Sequence, residues 1–518
     1  MTFDVPAQFE LSRFRVHDYT TANHRGIRVD RDDFHRKMLA SSLWSILASS
    51  GAQVFSFIVF VQIARMVGPE QFGLVALAAL LIDLMQTISA GGMADAVIQR
   101  PELSDRDADT AFWANAGSGV VFFALAFAAA GPLASLFRTP DLAWVVRILS
   151  TTFLIAPLGA IHSARLARTF GFRALAIRSL ASNLVSGALA IGIALAGGGV
   201  AALIAQRILS AASMAAISWL SFRWTPQPRF DPAAFRSMAQ YGLKTMGAQT
   251  LQQLSTRAVE LIAGVALGPA AVGAIRVANR CVEMLIQVTV QPFQQVALPA
   301  LARSQGSAEA RRATYLHLSR LSGLLIFPAF GGAFAVAPTL LPLAFGPQWR
   351  SSIALMQIIL LTGVAVQCSV MLPAALGAAG HAGQLLGLAM AQLVLAVALC
   401  SAGSVFGATG LVSANVVRAY VMLPFGLWLL RRKCGLGAME TLGSIARPLL
   451  VAVAMTVGVL ALDTMLRRQF PPAAVLAMSI AAGGAGYAAG ALLLMRDTLH
   501  DLGGLLPTRA KGWLRVAS

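Results

Sequence analysis

Charge is what this sequence has least of. Only 12% of its 518 residues are Asp, Glu, Lys or Arg, where soluble globular chains carry about 25%. With 57% hydrophobic residues, that scarcity excludes an ordinary soluble domain. Cysteine is also sparse. Cys281, Cys368, Cys400 and Cys434 are scattered, the first three inside apolar runs, with no CxxC pair. Neither a disulfide framework nor a zinc site is expected from them, and the seven histidines show no ligand spacing, so no metal is expected. Long polar loops are missing too. No connection between apolar runs exceeds about twenty residues, which leaves no room for an attached soluble catalytic domain. The G-G-G run at 197–199 lies between apolar segments with no Lys-Ser or Lys-Thr after it. It reads as a turn, not a phosphate loop. No nucleotide motif is visible, no cofactor is expected, and no constellation of catalytic residues stands out, so the chain reads as a non-enzyme.

What is abundant is apolar runs of 18 or more residues, each long enough to cross a hydrocarbon core of about 30 Å. Backbone groups in lipid must pair within their own segment, so the runs are helices. The fold class is an all-α polytopic membrane protein with about fourteen spans. They fall at 39–62, 73–98, 112–131, 148–162, 174–196, 200–222, 241–266, 275–301, 318–338, 353–378, 384–403, 408–430, 446–465 and 472–494. The fourth is short, and its apolar stretch can begin at Leu142.

Charge orients the spans. With the N-terminus inside, 28 of the 40 Lys and Arg fall in inner connections and tails and seven in outer connections. This asymmetry is the positive-inside pattern. It predicts cytoplasmic termini and accounts for the net charge of +18 without a nucleic-acid partner. Residues 1–38 form a polar cytoplasmic tail with seven basic and six acidic residues.

A repeat divides the chain. V-G-P-E-Q-F-G-L-V at 67–75 returns as L-G-P-A-A-V-G-A-I at 267–275, so Gly68, Pro69 and Gly73 correspond to Gly268, Pro269 and Gly273. Gly-Pro followed by a glycine suits a hairpin tip, where proline tolerates a helix end and glycine a reversal. At the same offset Asp83 matches Glu283 and Thr87 matches Gln287. A second echo joins G-V-A-A-L-I-A (199–205) to G-A-T-G-L-V-S (407–413). Both echoes lie six spans apart, so the halves share one orientation, as in transporters built from parallel repeats. The expected organisation is an N-lobe at 39–222, a cytoplasmic linker at 223–240, a C-lobe at 241–430, two further helices within 431–494 and a cytoplasmic tail at 495–518.

Polar residues inside spans are costly and usually face a bundle interior or an aqueous cavity. Arg276, Arg280, Glu283, Gln287, Gln291 and Gln294 recur every three or four residues, which predicts one continuous polar face on span 8. Span 7 answers with Gln249, Gln253, Thr256, Arg257 and Glu260. The turn at 268–273 places Glu260 and Glu283 at similar depth. Two readings fit. Glu260 and Arg280 form an ion pair that locks the helices, or the arginines hold an anionic group in a wet cavity, with a flat guanidinium suited to phosphate. Asp83 and Gln86 in span 2 offer a smaller polar stripe where a cation or proton can couple. Arg207, Lys244 and Arg418 also lie in or near spans. Asn115 and Asn183 read as hydrogen bonds between helices.

The stretches I-A-R-M-V-G-P-E-Q-F-G-L-V-A-L-A (63–78), A-V-I-Q-R-P-E-L-S-D-R-D-A-D-T-A-F-W-A-N (96–115), R-L-A-R-T-F-G-F-R-A-L-A (165–176) and L-G-P-A-A-V-G-A-I-R-V-A-N-R (267–280) resemble the Wzx-like oligosaccharide flippases. These form the polysaccharide-transporter branch of the superfamily that includes the multidrug extruders and the lipid II flippase. The resemblance implies two six-helix lobes around a central cavity, plus two further helices. It also implies transfer of undecaprenyl-diphosphate-linked oligosaccharide from the cytoplasmic to the periplasmic leaflet. The implied partners are that cargo, membrane lipids and the polysaccharide polymerase machinery. In the lipid II relative a cationic cavity matters, but its first-helix basic–acidic pair has no counterpart here. Span 1 holds no charged residue, only Gln53, serines and Gln62 at its end. The substrate-binding set expected from these readings is Arg257, Arg280, Glu260, Glu283, Arg276, Gln253, Gln287 and Gln291, with Asp83 and Gln86 as the coupling pair. The alternative is a cation-coupled multidrug exporter of the same fold, in which acids rather than arginines dominate the membrane interior.

Overall fold

The computed structural model describes residues 51–495 apart from 52, 169–171, 223, 304–306 and 382. The expected N-terminal tail, the start of the first span and the C-terminal tail beyond 495 lie outside the described residues. Among the described residues the chain is helical throughout, with no strand.

The first half runs α1 (Gln53–Met66), α2 (Pro69–Ser89), α3 (Met93–Gln99), α4 (Asp105–Leu136), α5 (Leu142–Ser150), α6 (Thr152–Arg168), α7 (Phe172–Leu195) and α8 (Gly199–Ser221). The second runs α9 (Pro232–Leu267), α10 (Pro269–Thr289), α11 (Gln291–Arg303), α12 (Ala308–Phe345), α13 (Ser351–Leu360), α14 (Gly363–Ser369), α15 (Leu372–Ala378), α16 (Gly383–Ser404) and α17 (Gly407–Cys434). Two helices follow, α18 (Ala438–Leu466) and α19 (Pro472–Leu494).

Local chemistry sets the ends. α4 starts seven residues before the expected span because Ser104 and Asp107 form a capping box. The Asp107 N–H donates to Ser104 Oγ at 3.1 Å and the Ser104 N–H to Asp107 Oδ2 at 3.1 Å. α9 also starts early, because Asp231 accepts from the N–H groups of Ala233 and Ala234 at 2.9 and 3.2 Å and Pro232 occupies the first turn. The expected span 10 is broken into α13, α14 and α15. Span 4 does begin at Leu142, as α5 and α6 with a break at Thr151.

Eleven helical stretches among the described residues are long and apolar enough to cross a membrane. α9 and α10 are long enough but are not among the eleven. Both carry polar stripes, and they pack against each other and against α2.

The halves touch mainly through α2 against α9 and α10, around a core that includes the fully buried Leu77, Ile82, Ile275, Val277 and Ala278. The repeated glycines explain this seam. A Cβ added to Gly73 would overlap the carbonyl oxygen of Pro269, and one added to Gly273 would overlap the carbonyl oxygen of Pro69. Such reciprocity, residue i on j′ and j on i′, is what a two-fold axis requires. Glycine-proline punctuation recurs in the sequence because the two copies pack on each other. Trp349 closes the same end. It is fully buried, donates from Nε1 to Ala64 O at 2.8 Å and meets Phe72 edge-on at 5.4 Å.

The other end of α2 carries a second glycine contact. Gly91 and Gly92, at φ 55° and 65°, separate α2 from α3. A Cβ on Gly92 would lie 2.6 Å from the Cα of Gly242 in α9. Beside it, Gln249 Nε2 donates to Asp95 Oδ2 at 3.0 Å. The two contacts are roughly 28 Å apart at 1.5 Å per residue, so the halves meet at both ends of α2.

The segment joining the halves is strapped to the first. Gln227 N–H donates to Asp109 Oδ1 at 3.0 Å, Asp231 N–H to Thr110 Oγ1 at 3.0 Å, and Trp113 Nε1 to Gln227 O at 2.8 Å. Asp109 is 1% exposed. Asp109→Ala leaves the Gln227 N–H without its acceptor and is expected to cost about 1–3 kcal/mol. The readout is a lower midpoint of thermal unfolding in detergent, with Asp109→Asn less affected.

Candidate substrate cavity

Five charged groups from α9 and α10 form one network. Arg276 Nη1 lies 3.3 Å from Glu260 Oε1 and 3.2 Å from Glu283 Oε1, so it bridges the two carboxylates. Arg257 Nη1 reaches the same oxygens at 3.5 and 3.6 Å. Arg280 Nη1 lies 3.5 Å from Glu283 Oε2, and its Nη2 donates to Ser56 Oγ at 3.2 Å. Asn279 Nδ2 adds a bond to Glu260 Oε1 at 3.2 Å. Glu260 is 4% exposed; a carboxylate so buried persists only when paired and hydrogen-bonded.

Arg257, Glu260, Arg276 and Arg280 of this network line a cavity of about 340 Å³ between the halves, with Glu283 behind them and not in the lining. The first half contributes Ser56 and Phe60 from α1, Asp83 from α2, and Asn183 and Arg207 from α7 and α8. Arg207 forms an ion pair with Asp83. Four arginines (207, 257, 276 and 280) thus stand with three carboxylates (83, 260 and 283), and the site carries one positive charge in excess. In a low-dielectric setting that excess favours an anion. No group of three or more His, Cys, Asp or Glu among the described residues is placed to hold a metal ion.

A family model described as "Polysaccharide biosynthesis protein" matches residues 62–354, more than half of the chain. The chain belongs to this family. The succinoglycan biosynthesis transport protein ExoT of Rhizobium meliloti is 24% identical over 415 residues, covering 80% of this chain and 84% of ExoT. The lipopolysaccharide biosynthesis protein WzxC of Escherichia coli is 26% identical over 342 residues, covering 63% of this chain and 67% of WzxC. Among solved structures, the lipid II flippase MurJ in an inward closed conformation superposes with a TM-score of 0.72 at 12% identity, over 88% of this chain and 99% of MurJ. An inward-facing multidrug transporter of the MATE family gives 0.57 at 18% identity, over 74% and 94%. At these identities the two structures speak for the fold.

For this member of the polysaccharide biosynthesis family, the structure brings Arg257, Glu260, Arg276, Arg280 and Glu283 together as one cluster. The pairing differs from the expected one. Glu260 pairs with Arg276 and Arg257 rather than Arg280, because Arg276 lies one turn nearer the Gly268 tip and so faces Glu260 across the hairpin. The continuous polar face expected on span 8 is also interrupted. α10 ends at Thr289 and α11 begins at Gln291, where Pro292 supplies no N–H and its ring would crowd the preceding turn. Gln291 is exposed, and the side-chain carbonyl of Gln287 is buried without a hydrogen bond. Neither lines the cavity. Gln253 lines an adjoining cavity with Asp83, Gln86 and Asn115, and Gln86 Nε2 donates to Thr152 Oγ1 at 2.9 Å.

Sequence reasoning missed the role of Arg207 and the cavity-facing position of Asn183. The available signal was the group Gln206, Arg207 and Ser210, three neighbouring polar residues that include the one charge of α8. It also missed Asp463, 1% exposed, which accepts from Thr339 Oγ1 at 2.8 Å, pairs with Arg467 and ties α18 to α12.

Proposed function

We propose that this protein is a flippase that carries undecaprenyl-diphosphate-linked oligosaccharide from the cytoplasmic to the periplasmic leaflet for surface polysaccharide synthesis. The observation that carries this reading is the cavity between the halves with its excess positive charge, in a chain of the polysaccharide biosynthesis family. A diphosphate is the anion such a cluster suits. Arg280 and Arg257 engage it, since Arg276 is already held closely by both glutamates. Glu260 and Glu283 orient the guanidinium groups. The N-lobe (39–222) and C-lobe (241–430) rock about the glycine seam to open the cavity to one side and then the other, with the residues of 431–494 as an appended helix pair. Fourteen spans, cytoplasmic termini and a bacterial inner membrane complete the topology, and a polysaccharide polymerase receives the product. No bond is made or broken during transfer.

Energetically, an inside-negative potential favours outward passage of negative charge by about 2.3 kcal/mol per charge per 100 mV. Two charges on the diphosphate thus give a bias of about 4–5 kcal/mol. The Asp83–Arg207 pair weighs against the drug-exporter alternative, because a carboxylate already matched by a guanidinium is a poor cation site.

Deleting the gene and extracting envelope lipids tests the proposal. Undecaprenyl-diphosphate saccharide should accumulate while surface polysaccharide is lost, and the wild-type gene should reverse both. Unchanged lipids and polymer, in a strain without a second such transporter, would replace the flippase reading with small-molecule export.

A further inference from the structure

The first half contains a cavity of its own, about 410 Å³, between α2, α6, α7 and α8. It adjoins the central one, since Arg207 and Ser210 line both. At its far end sits Arg178 of α7. Its Nη1 donates to Ser218 Oγ at 2.8 Å and to Ser163 Oγ. Unlike Arg207, Arg257, Arg276 and Arg280, it has no carboxylate partner among the described residues. Both of its acceptors are neutral, so its charge is uncompensated, and an unpaired charge within a span is costly. Its Nε is buried and has no hydrogen-bond partner. Arg178 lines the cavity, and a guanidinium there offers a carboxylate a charge-assisted hydrogen bond.

The walls suit a sugar. Gly159 lets α6 approach α8 so closely that a Cβ there would lie 2.8 Å from the Cα of Ala215. Small side chains make this wall smooth, while Thr152, Gln86 and Ser210 offer hydrogen-bonding groups around it. A mostly apolar cleft with a few convergent polar groups is the usual form of a small-molecule site. The charges divide the same way. The four-arginine cluster faces the central cavity, whereas the single unpaired charge of Arg178 matches a single carboxylate.

We propose that this cavity is a second subsite that holds a carboxylate-bearing sugar of the saccharide head, with Arg178 as the specificity-determining residue. The inference rests on the flippase reading and deepens it, because the adjoining cavities let one cargo head occupy both subsites.

The test is calorimetric titration of the purified full chain with three probes: glucuronate, glucose and inorganic diphosphate. Glucuronate should bind about tenfold or more tighter than glucose, as one charge-assisted hydrogen bond predicts. It should also bind without displacing diphosphate. Arg178→Gln should lose that preference and keep diphosphate affinity, while Arg178→Lys should keep part of the preference. Equal binding of glucuronate and glucose, or displacement of one anion by the other, would overturn the subsite. Should Arg178→Gln fail to fold, the wild-type competition alone decides. Loss of the diphosphate arm with glucuronate binding intact would count against the central cavity of the flippase reading and leave the subsite standing.

Discussion

Arg280→Ala is expected to lower transport by about 100-fold or more, with the protein still present in the membrane. Losing one guanidinium from the site that holds the anion costs about 2–5 kcal/mol of binding, and about 1.4 kcal/mol is a factor of ten in rate. The fold survives because Glu283 keeps Arg276 at 3.2 Å and Arg257 at 3.6 Å. Arg280→Lys retains the charge without the planar fork and should fall in between. Arg276→Ala should behave differently. It strips the closest charged partner from both Glu260 and Glu283 at once, so the expected loss is in folded protein rather than in turnover. Transport of a labelled lipid-linked saccharide in proteoliposomes, normalised to inserted protein, separates the two. Normal transport by Arg280→Ala would reduce that arginine to a structural role.

Gly73→Ala and Gly273→Ala form the second test. Each methyl would enter the carbonyl oxygen of the opposing proline. A Cβ on Gly73 would also lie 2.8 Å from Gly273 N, and one on Gly273 would lie 3.1 Å from Gly73 N. Neither neighbour is a flexible side-chain tip, so α2 and α10 must part. Overpacking of this kind costs about 1–3 kcal/mol. Because both substitutions wedge open the same seam, the double variant should cost clearly less than the two singles together, the mark of coupled sites. Thermal unfolding in detergent measures all three. Strict additivity would deny the reciprocal contact. The same variants should also make this end of the bundle easier to open, which maleimide labelling of a cysteine placed at Ser352, bonded to Ala274 O at 3.0 Å, would register.

The extent to which the sequence foretold these sites varied with the kind of interaction. Helices were legible because lipid leaves the backbone no other partner, and every expected span from residue 73 onward falls mainly on observed helix, with breaks inside the spans at 73–98, 148–162, 275–301 and 353–378. Their ends were less so. Ser104 with Asp107 is a local capping signal, yet its polarity places it outside an apolar run and hides it from a search for such runs. The charged cluster was legible as a set of residues, since ionisable groups in spans are few and must meet. Which acid meets which arginine was not, because the one-turn difference between Arg276 and Arg280 depends on how the hairpin closes.

By itself, then, the sequence determined the class of protein, the helical segments, the duplicated glycine-proline tips and the list of costly charges. All of these follow from local composition and from what a hydrocarbon environment forbids. Tertiary structure alone decided that the two tips pack reciprocally, that Asp83 is taken by Arg207, and that Arg178, beside a second cavity, has no carboxylate partner among the described residues. Those outcomes depend on distances of a few ångströms between helices more than a hundred residues apart in the chain or on different faces of one lobe. Electrostatic and steric energies change by kilocalories over such distances, and no periodicity along the chain encodes them.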